Sequence, residues 1–213
     1  NQNFILDSDN QLYDLKADPE QNQPIAQATS AAFTELSKAK EEWINSVLSE
    51  LDRDRQEIFP VGYKDSKYTL LPARDGMPHG GIERSSIHPN SSFFTNWTSS
   101  TDSLTWDTEI LTTGKYKATV YYTCKPSAVG ATLKLKQGAN EVSTPINEAH
   151  DSDYLAVEYD RSPRDESYEK DYKPLEIGVI QLDKGHHPIT MKASEIKGPE
   201  FIEVRLLVLE RID

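Results

Sequence analysis

Two different periods run through this chain. Between residues 29 and 52, Ala32, Phe33, Leu36, Trp43, Ile44, Val47, Leu48 and Leu51 mostly recur at spacings of three and four. That spacing places them on one stripe of an amphipathic helix, with Lys38, Lys40, Glu41 and Glu42 facing water. Ser30 or Thr29 is the expected N-cap, and Pro24 leaves an earlier start open. From Ser92 onward the period is two. Tyr116, Ala118, Val120, Tyr122 and Cys124 point one way along a strand that opens at Gly114. Lys115, Lys117, Thr119, Tyr121 and Thr123 point the other way. Leu133 and Leu135 alternate with Lys134 and Lys136, then Gly138-Ala139-Asn140 turns the chain. Ile177, Val179 and Leu182 precede the turn Asp183-Lys184-Gly185, and Ile189, Met191 and Ala193 follow it. The last strand reads with Ile202, Val204, Leu206 and Val208 on one face and Leu207 and Leu209 on the other. Apolar residues on both faces predict a strand covered on both sides. With Phe93–Trp97 and Leu104–Ile110 the pattern gives about eight strands and no long helix, which predicts a sandwich or jelly roll.

The remaining segments are shorter. Phe4-Ile5-Leu6 and Leu12-Tyr13-Asp14-Leu15 flank the turn-forming Asp7-Ser8-Asp9-Asn10, a hairpin pattern that Asp18-Pro19 and Pro24 close. Asp7, Asp9 and Asn10 faintly resemble a calcium loop, but its glycine is absent and Asp18 stands where a glutamate belongs. Residues 53 to 90 read as a connector with two extended stretches, Phe59–Tyr63 and Tyr68–Pro72, and a turn-rich run at Met77-Pro78-His79-Gly80-Gly81. A connector that long is expected to pack or work rather than dangle. The fold class is therefore mostly β with one long helix: a remnant hairpin and helix over 1–55, a connector over 56–90, and an antiparallel β-sandwich over 91–213.

Composition narrows the partners. The net charge of −12 opposes nucleic acid, which needs a concentrated basic face. No polybasic stretch suits an anionic membrane surface, and no apolar run reaches the ~20 residues of a membrane span. Cys124 is the single cysteine, so an intrachain disulfide and a multi-cysteine zinc site are excluded. The five histidines form no His-x-x-x-His pair. The opening Asn-Gln-Asn-Phe, without a Met, is expected to be the edge of a cut chain from which targeting sequences have been removed.

One stretch carries a family likeness. Gln11-Leu12-Tyr13-Asp14-Leu15-Lys16-Ala17-Asp18-Pro19-Glu20-Gln21-Asn22, followed by a helix bearing Trp43, resembles the C-terminal end of sulfatases of the arylsulfatase and N-acetylgalactosamine-6-sulfatase group. Pro24-Ile25 departs from the pattern. The resemblance implies a missing N-terminal catalytic domain using formylglycine and a divalent metal, calcium, in a periplasmic or secreted parent. Such an enzyme needs Cys/Ser-x-Pro-x-Arg. Here Cys124-Lys125-Pro126-Ser127-Ala128 fails at Ala128, where a guanidinium fork must hold sulfate oxygens. No catalytic residue and no cofactor are therefore assigned to this chain. Separately, residues 114–122, 182–192 and 202–209 resemble carbohydrate-binding jelly rolls of the galactose-binding type, through Gly-x-Tyr, Leu-x-x-Gly-x-His and an apolar last strand.

Candidate site residues follow from residue type. In Asp160-Arg161-Ser162-Pro163-Arg164-Asp165-Glu166-Ser167-Tyr168, Arg161 and Arg164 suit bidentate capture of a sulfate or carboxylate, with Tyr168 or Tyr172 as a sugar-stacking face. The competing reading is a solvated loop whose charges cancel. Trp97 is a stacking platform or a core residue, and Trp106 is expected in the core. His79, in a turn-rich run, is a loop residue or a contact to a parent active site. Asn90 and Asn96 begin formal glycosylation sequons. The expected function is a non-catalytic C-terminal region that braces a sulfatase-type parent or helps it hold glycan. An autonomous carbohydrate-binding module and a purely structural sandwich are the alternatives.

Overall fold

The structure, a computed structural model, describes residues 3–26, 30–50 and 58–212. The chain divides into two compact units, Asn1–Gln56 and Glu57–Asp213.

In the first unit, β1 (Phe4–Leu6) and β2 (Leu12–Asp14) form an antiparallel hairpin. The carboxylate of Asp7 accepts the N–H of Gln11 at 2.7 Å, and Asn10 adopts φ 63°, which is how Asx residues close tight turns. Helix α1 (Ala31–Leu48) begins at Ser30, whose hydroxyl accepts the N–H of Phe33 at 3.4 Å. Thr29 and Leu51 lie outside the described residues. The apolar stripe exists, but no residue of α1 is buried, and Trp43 is 60% exposed. Lys40 corrects the helical wheel. Its ammonium does not face water alone but donates to the carbonyls of Asp7 and Ser8, each at 3.2 Å, and to Oδ1 of Asn10 at 2.8 Å. The hairpin turn that resembled a calcium loop thus spends its acceptors on a cation of its own chain.

The second unit is a sandwich whose strands are β3 (Phe59–Val61), β4 (Tyr68–Pro72), β5 (Met77–His79), β6 (Glu83–Arg84), β7 (Phe94–Thr95), β8 (Ser103–Trp106) and β9 (Thr108–Ile110). They continue as β10 (Gly114–Thr123), β11 (Thr132–Gln137), β12 (Asn140–Pro145), β13 (Lys173–Leu182), β14 (Gly185–His186), β15 (Ile189–Glu195) and β16 (Glu203–Arg211). One six-stranded sheet runs β13-β10-β16-β7-β6 with β4 also pairing β16, and a five-stranded sheet runs β12-β11-β15-β8-β5. All pairs in both are antiparallel; a small third sheet, β14-β9-β3, contains one parallel pair. This is the mostly β, antiparallel jelly-roll sandwich that the period-two pattern predicts. Residues 59–84, expected as a connector, instead supply β3 to β6. Each is a short strand that pairs with a neighbour, so the sandwich starts at Phe59 and not near residue 91.

Between the sheets lies one apolar core. Tyr116, Ala118, Val120 and Tyr122 of β10 face it, as the alternation predicts, together with Leu133, Leu135, Ile189, Met191 and Trp106. At fixed backbone register, alternation would put Leu206 and Val208 with Val204, but the strand breaks its own period. Tyr121 pairs with Leu206 and Tyr122 with Val204, so Arg205 is the extra residue of a β-bulge. Beyond it the faces exchange: Leu207 and Leu209 turn inward, while Leu206 and Val208 move to the outer face. A second bulge, at Ile177, does the same on β13, where Ile180 is buried and Val179 is 47% exposed. Gly62 is required by packing. Its φ is +80°, and a Cβ there would lie 2.0 Å from the hydroxyl of Tyr116, which donates to the carbonyl of Thr112.

Candidate functional site

Outward displacement of Leu206 leaves an apolar floor on the solvent side of the six-stranded sheet. Pro72, Leu206, Tyr121 and Pro174 lie in one cross-strand row over β4, β16, β10 and β13. Val208 opposes Leu70, which is 58% exposed, in the next row. A solvated sheet face ordinarily alternates polar residues, so this floor is the informative anomaly. Over it runs an open groove of about 820 Å³, in the range of ligand sites. Its walls are the turn carrying Arg74 and Asp75, the loop Pro89-Asn90-Ser91, and the segment Glu169–Tyr172, with Phe59 at its margin.

The walls are polar and held in place. Arg205, turned by the bulge toward the groove, donates from Nε to Glu169 at 3.2 Å and from Nη1 to the carbonyl of Ser92 at 3.3 Å. Arg74 pairs with Asp75 at 3.3 Å. Lys170 pairs with Glu203 at 2.7 Å, and its ammonium lies 5.1 Å from the Phe93 ring centre and 4.9 Å from that of Tyr154. Glu203 also accepts from the hydroxyl of Thr123 at 2.6 Å. The ring of Tyr172 packs 6.0 Å from buried Phe93. Its hydroxyl is buried without a hydrogen-bond partner among the described residues. Burial, reinforced by the carboxylates of Glu203 and Glu169, pushes that phenol far above its ordinary pKa, so it stays protonated and able to donate. The serines of the two loops tie the walls together: Ser85 Oγ meets Ser167 Oγ at 2.5 Å, and Ser86 donates to the carbonyl of Asp165 at 2.8 Å.

Residues picked from sequence fall in different places. Tyr172 and Asn90 line the groove. Trp97 does not serve as a platform: it is completely buried, edge-on to Phe201 at 5.0 Å, and donates its indole N–H to the carbonyl of Ser99. A ring with no exposed face cannot stack on a sugar. Arg161, Arg164 and Tyr168 lie on the neighbouring loop and do not line the groove. Arg164 pairs with Asp160 at 3.2 Å and covers one face of the Tyr168 ring at 3.9 Å. His79 stands exposed on edge strand β5, 2.7 Å from Thr105 Oγ1. Asn96 commits its amide to the carbonyl of Gly81 at 2.8 Å. Cys124 is buried at the end of β10, and burial raises its thiol pKa to about 11, the opposite of an activated nucleophile. Ala128 is completely buried, where an arginine would have to be desolvated. Among the described residues no His, Cys, Asp and Glu side chains gather into a metal-binding group of three or more, and no helix is long and apolar enough to cross a membrane.

The groove residues missed from sequence include Tyr121, Leu206, Arg205, Arg74 and Glu169. Tyr121 was legible as an aromatic on the solvent phase of an alternating strand. Arg205 and Leu206 were not, because a bulge leaves no local signature.

No known family profile matches the sequence, and neither does any curated protein. Solved structures align with part of the chain. A mannanase from Podospora anserina that combines GH26 and CBM35 modules aligns at 12% identity and TM-score 0.45, over 69% of this chain and 28% of its own. The carbohydrate-binding module CBM6cm-2 of Cellvibrio mixtus lichenase 5A, determined with cellotriose, aligns at 12% identity and TM-score 0.48, over 68% of this chain and 98% of its own. The mosquito-larvicidal toxin Cry4Aa of Bacillus thuringiensis aligns at 14% identity and TM-score 0.49, over 68% of this chain and 24% of its own. At such identities and scores the likeness adds nothing to what the groove's geometry says about its use.

Proposed function

We propose that the sandwich is a carbohydrate-binding module and that a glycan lies along the outer face of the six-stranded sheet. The observation behind this reading is the pairing of an exposed apolar floor with a rim of planar polar groups. A pyranose ring has the matching halves: a C–H face that packs on Tyr121, Leu206 and Leu70, and an equatorial belt of hydroxyls. Carboxylates and guanidinia that are already hydrogen-bonded, such as Glu169, Asp75, Arg205 and Arg74, can accept from and donate to adjacent hydroxyls without new ordering. The groove is open, which suits a chain of sugars rather than one enclosed ring. The module's role is to hold substrate, with chemistry done elsewhere.

A glycan array probed with the full chain tests this. Binding that falls about tenfold or more in Tyr121→Ala, with an unchanged melting temperature, is the expected result. An array with no hits rejects the reading and leaves a bracing or purely structural sandwich. The sulfatase parent is a second proposal, on different grounds. Its support is the β1–β2 hairpin followed by α1, in the order the sulfatase C-terminus has. A Cys/Ser-x-Pro-x-Arg motif encoded upstream of Asn1 would support a parent with a formylglycine and calcium centre in a periplasmic or secreted setting. A coding sequence without that motif would reject it.

A further inference from the structure

A second cavity of about 590 Å³ meets the groove at Arg74 and Pro89, which line both. Its character differs. Arg74, Arg84 and His88 line it together with one carboxylate residue, Glu83.

Arg84 is the informative member. Of the two arginines that line the cavity, Arg74 has a carboxylate partner, Asp75. Arg84 has none among the described residues. Its Nη2 donates to the carbonyls of Gly76 and, at 3.4 Å, Arg74, and its plane lies 5.7 Å from the ring centre of Phe94. Nη2 is thus anchored by neutral acceptors, and among the described residues no carboxylate lies within ion-pair distance of this exposed guanidinium. Arg74, ion-paired to Asp75 on the shared wall, stands between this charge and the apolar floor. With Nη2 engaged, Nε and Nη1 of Arg84 remain to donate single charge-assisted hydrogen bonds to an oxyanion.

We infer that this cavity is a subsite for an anionic substituent, a carboxylate or a sulfate ester, on the glycan that occupies the groove. The inference rests on the carbohydrate reading and sharpens it: the preferred ligand is an acidic polysaccharide, with Arg84 setting the preference and Arg74 joining the two sites. Both substituents present the same oxyanion chemistry to Arg84.

Matched hexasaccharides decide it: neutral, 6-carboxylate and 6-sulfate forms of galactan, glucan and mannan, titrated calorimetrically into the full chain. On whichever backbone binds, an acidic form should bind about tenfold or more tightly than the neutral one. Which acidic form gains more identifies the substituent. Arg84→Gln should remove that preference and leave neutral binding unchanged, with a thermal melt confirming the fold. Should Arg84→Gln fail to fold, wild-type titrations at rising salt serve instead, because only the acidic ligands should weaken. Equal affinity for neutral and acidic forms overturns the subsite and leaves the groove standing. No binding of any form overturns both.

Discussion

The hairpin–helix unit and the sandwich answer the same hydrophobic pattern in opposite ways. In the first unit, among the described residues, only Leu12 is buried completely and Tyr13 nearly so, although α1 carries a clear apolar stripe. In the second, one core runs from Val61 to Leu209 across both sheets. Amphipathic spacing therefore fixes which way a helix turns its apolar side, but not that anything covers it. A sandwich closes on itself because each sheet supplies the other's cover.

Tryptophan gives the sharpest test of that contrast. Trp106 is completely buried, T-shaped to Phe94 at 6.3 Å, and donates to the carbonyl of Pro72 at 3.0 Å. Trp106→Ala should cost about 3–5 kcal/mol in urea unfolding. Trp43→Ala, on an exposed helix face, should stay within about 0.5 kcal/mol. Equal effects would break the comparison.

Within the sandwich the next largest effect should come from the ion pair under the groove. Lys170 and Glu203 have side chains 13% and 19% exposed. Lys170→Ala leaves the Glu203 carboxylate with the hydroxyls of Thr123 and Thr95 but no cation, and should cost about 1–3 kcal/mol, read by the same urea melts. A smaller effect concerns acid. Lys117 and Lys67 bind Glu210 and hold its carboxyl down at about 2. A carboxyl lowered on folding contributes stability that is complete above its unfolded value and is lost as pH falls through the folded one. Glu210→Gln should therefore flatten the fall in stability between about pH 4.5 and 2. An unchanged acid limb would show that the two lysines do not act through it. The smallest expected effect is chemical: Cys124 should label slowly with iodoacetamide in the native protein and rapidly in urea.

Much of this arrangement was legible in the sequence and part of it could not be. Tyr116 to Tyr122, Leu133 to Gln137 and Ile189 to Ala193 announce their strands because their alternation is uninterrupted. Residues 59–84 read as a connector with two extended stretches, which are β3 and the five-residue β4; β5 and β6, of three and two residues, are too short to show a period. The face of Leu206 was misjudged because the bulge at Arg205 is set by pairing with β10, not by local residues. That same bulge builds the groove floor and turns Arg205 toward Glu169, so the site was hidden for the reason that made it. Trp97, after Asn96 near a strand end, reads equally as platform or core, and its complete burial against Phe201, far off in sequence, makes it core.

The central claim is that the outer face of the six-stranded sheet holds carbohydrate. Amide chemical-shift mapping with a bound oligosaccharide tests it most directly. The expected result is a continuous set of shifts at Leu70, Tyr121, Glu169, Tyr172, Arg205 and Leu206. Shifts confined to the loop from Arg161 to Tyr168, or to the outer face of β11 and β15, would contradict it.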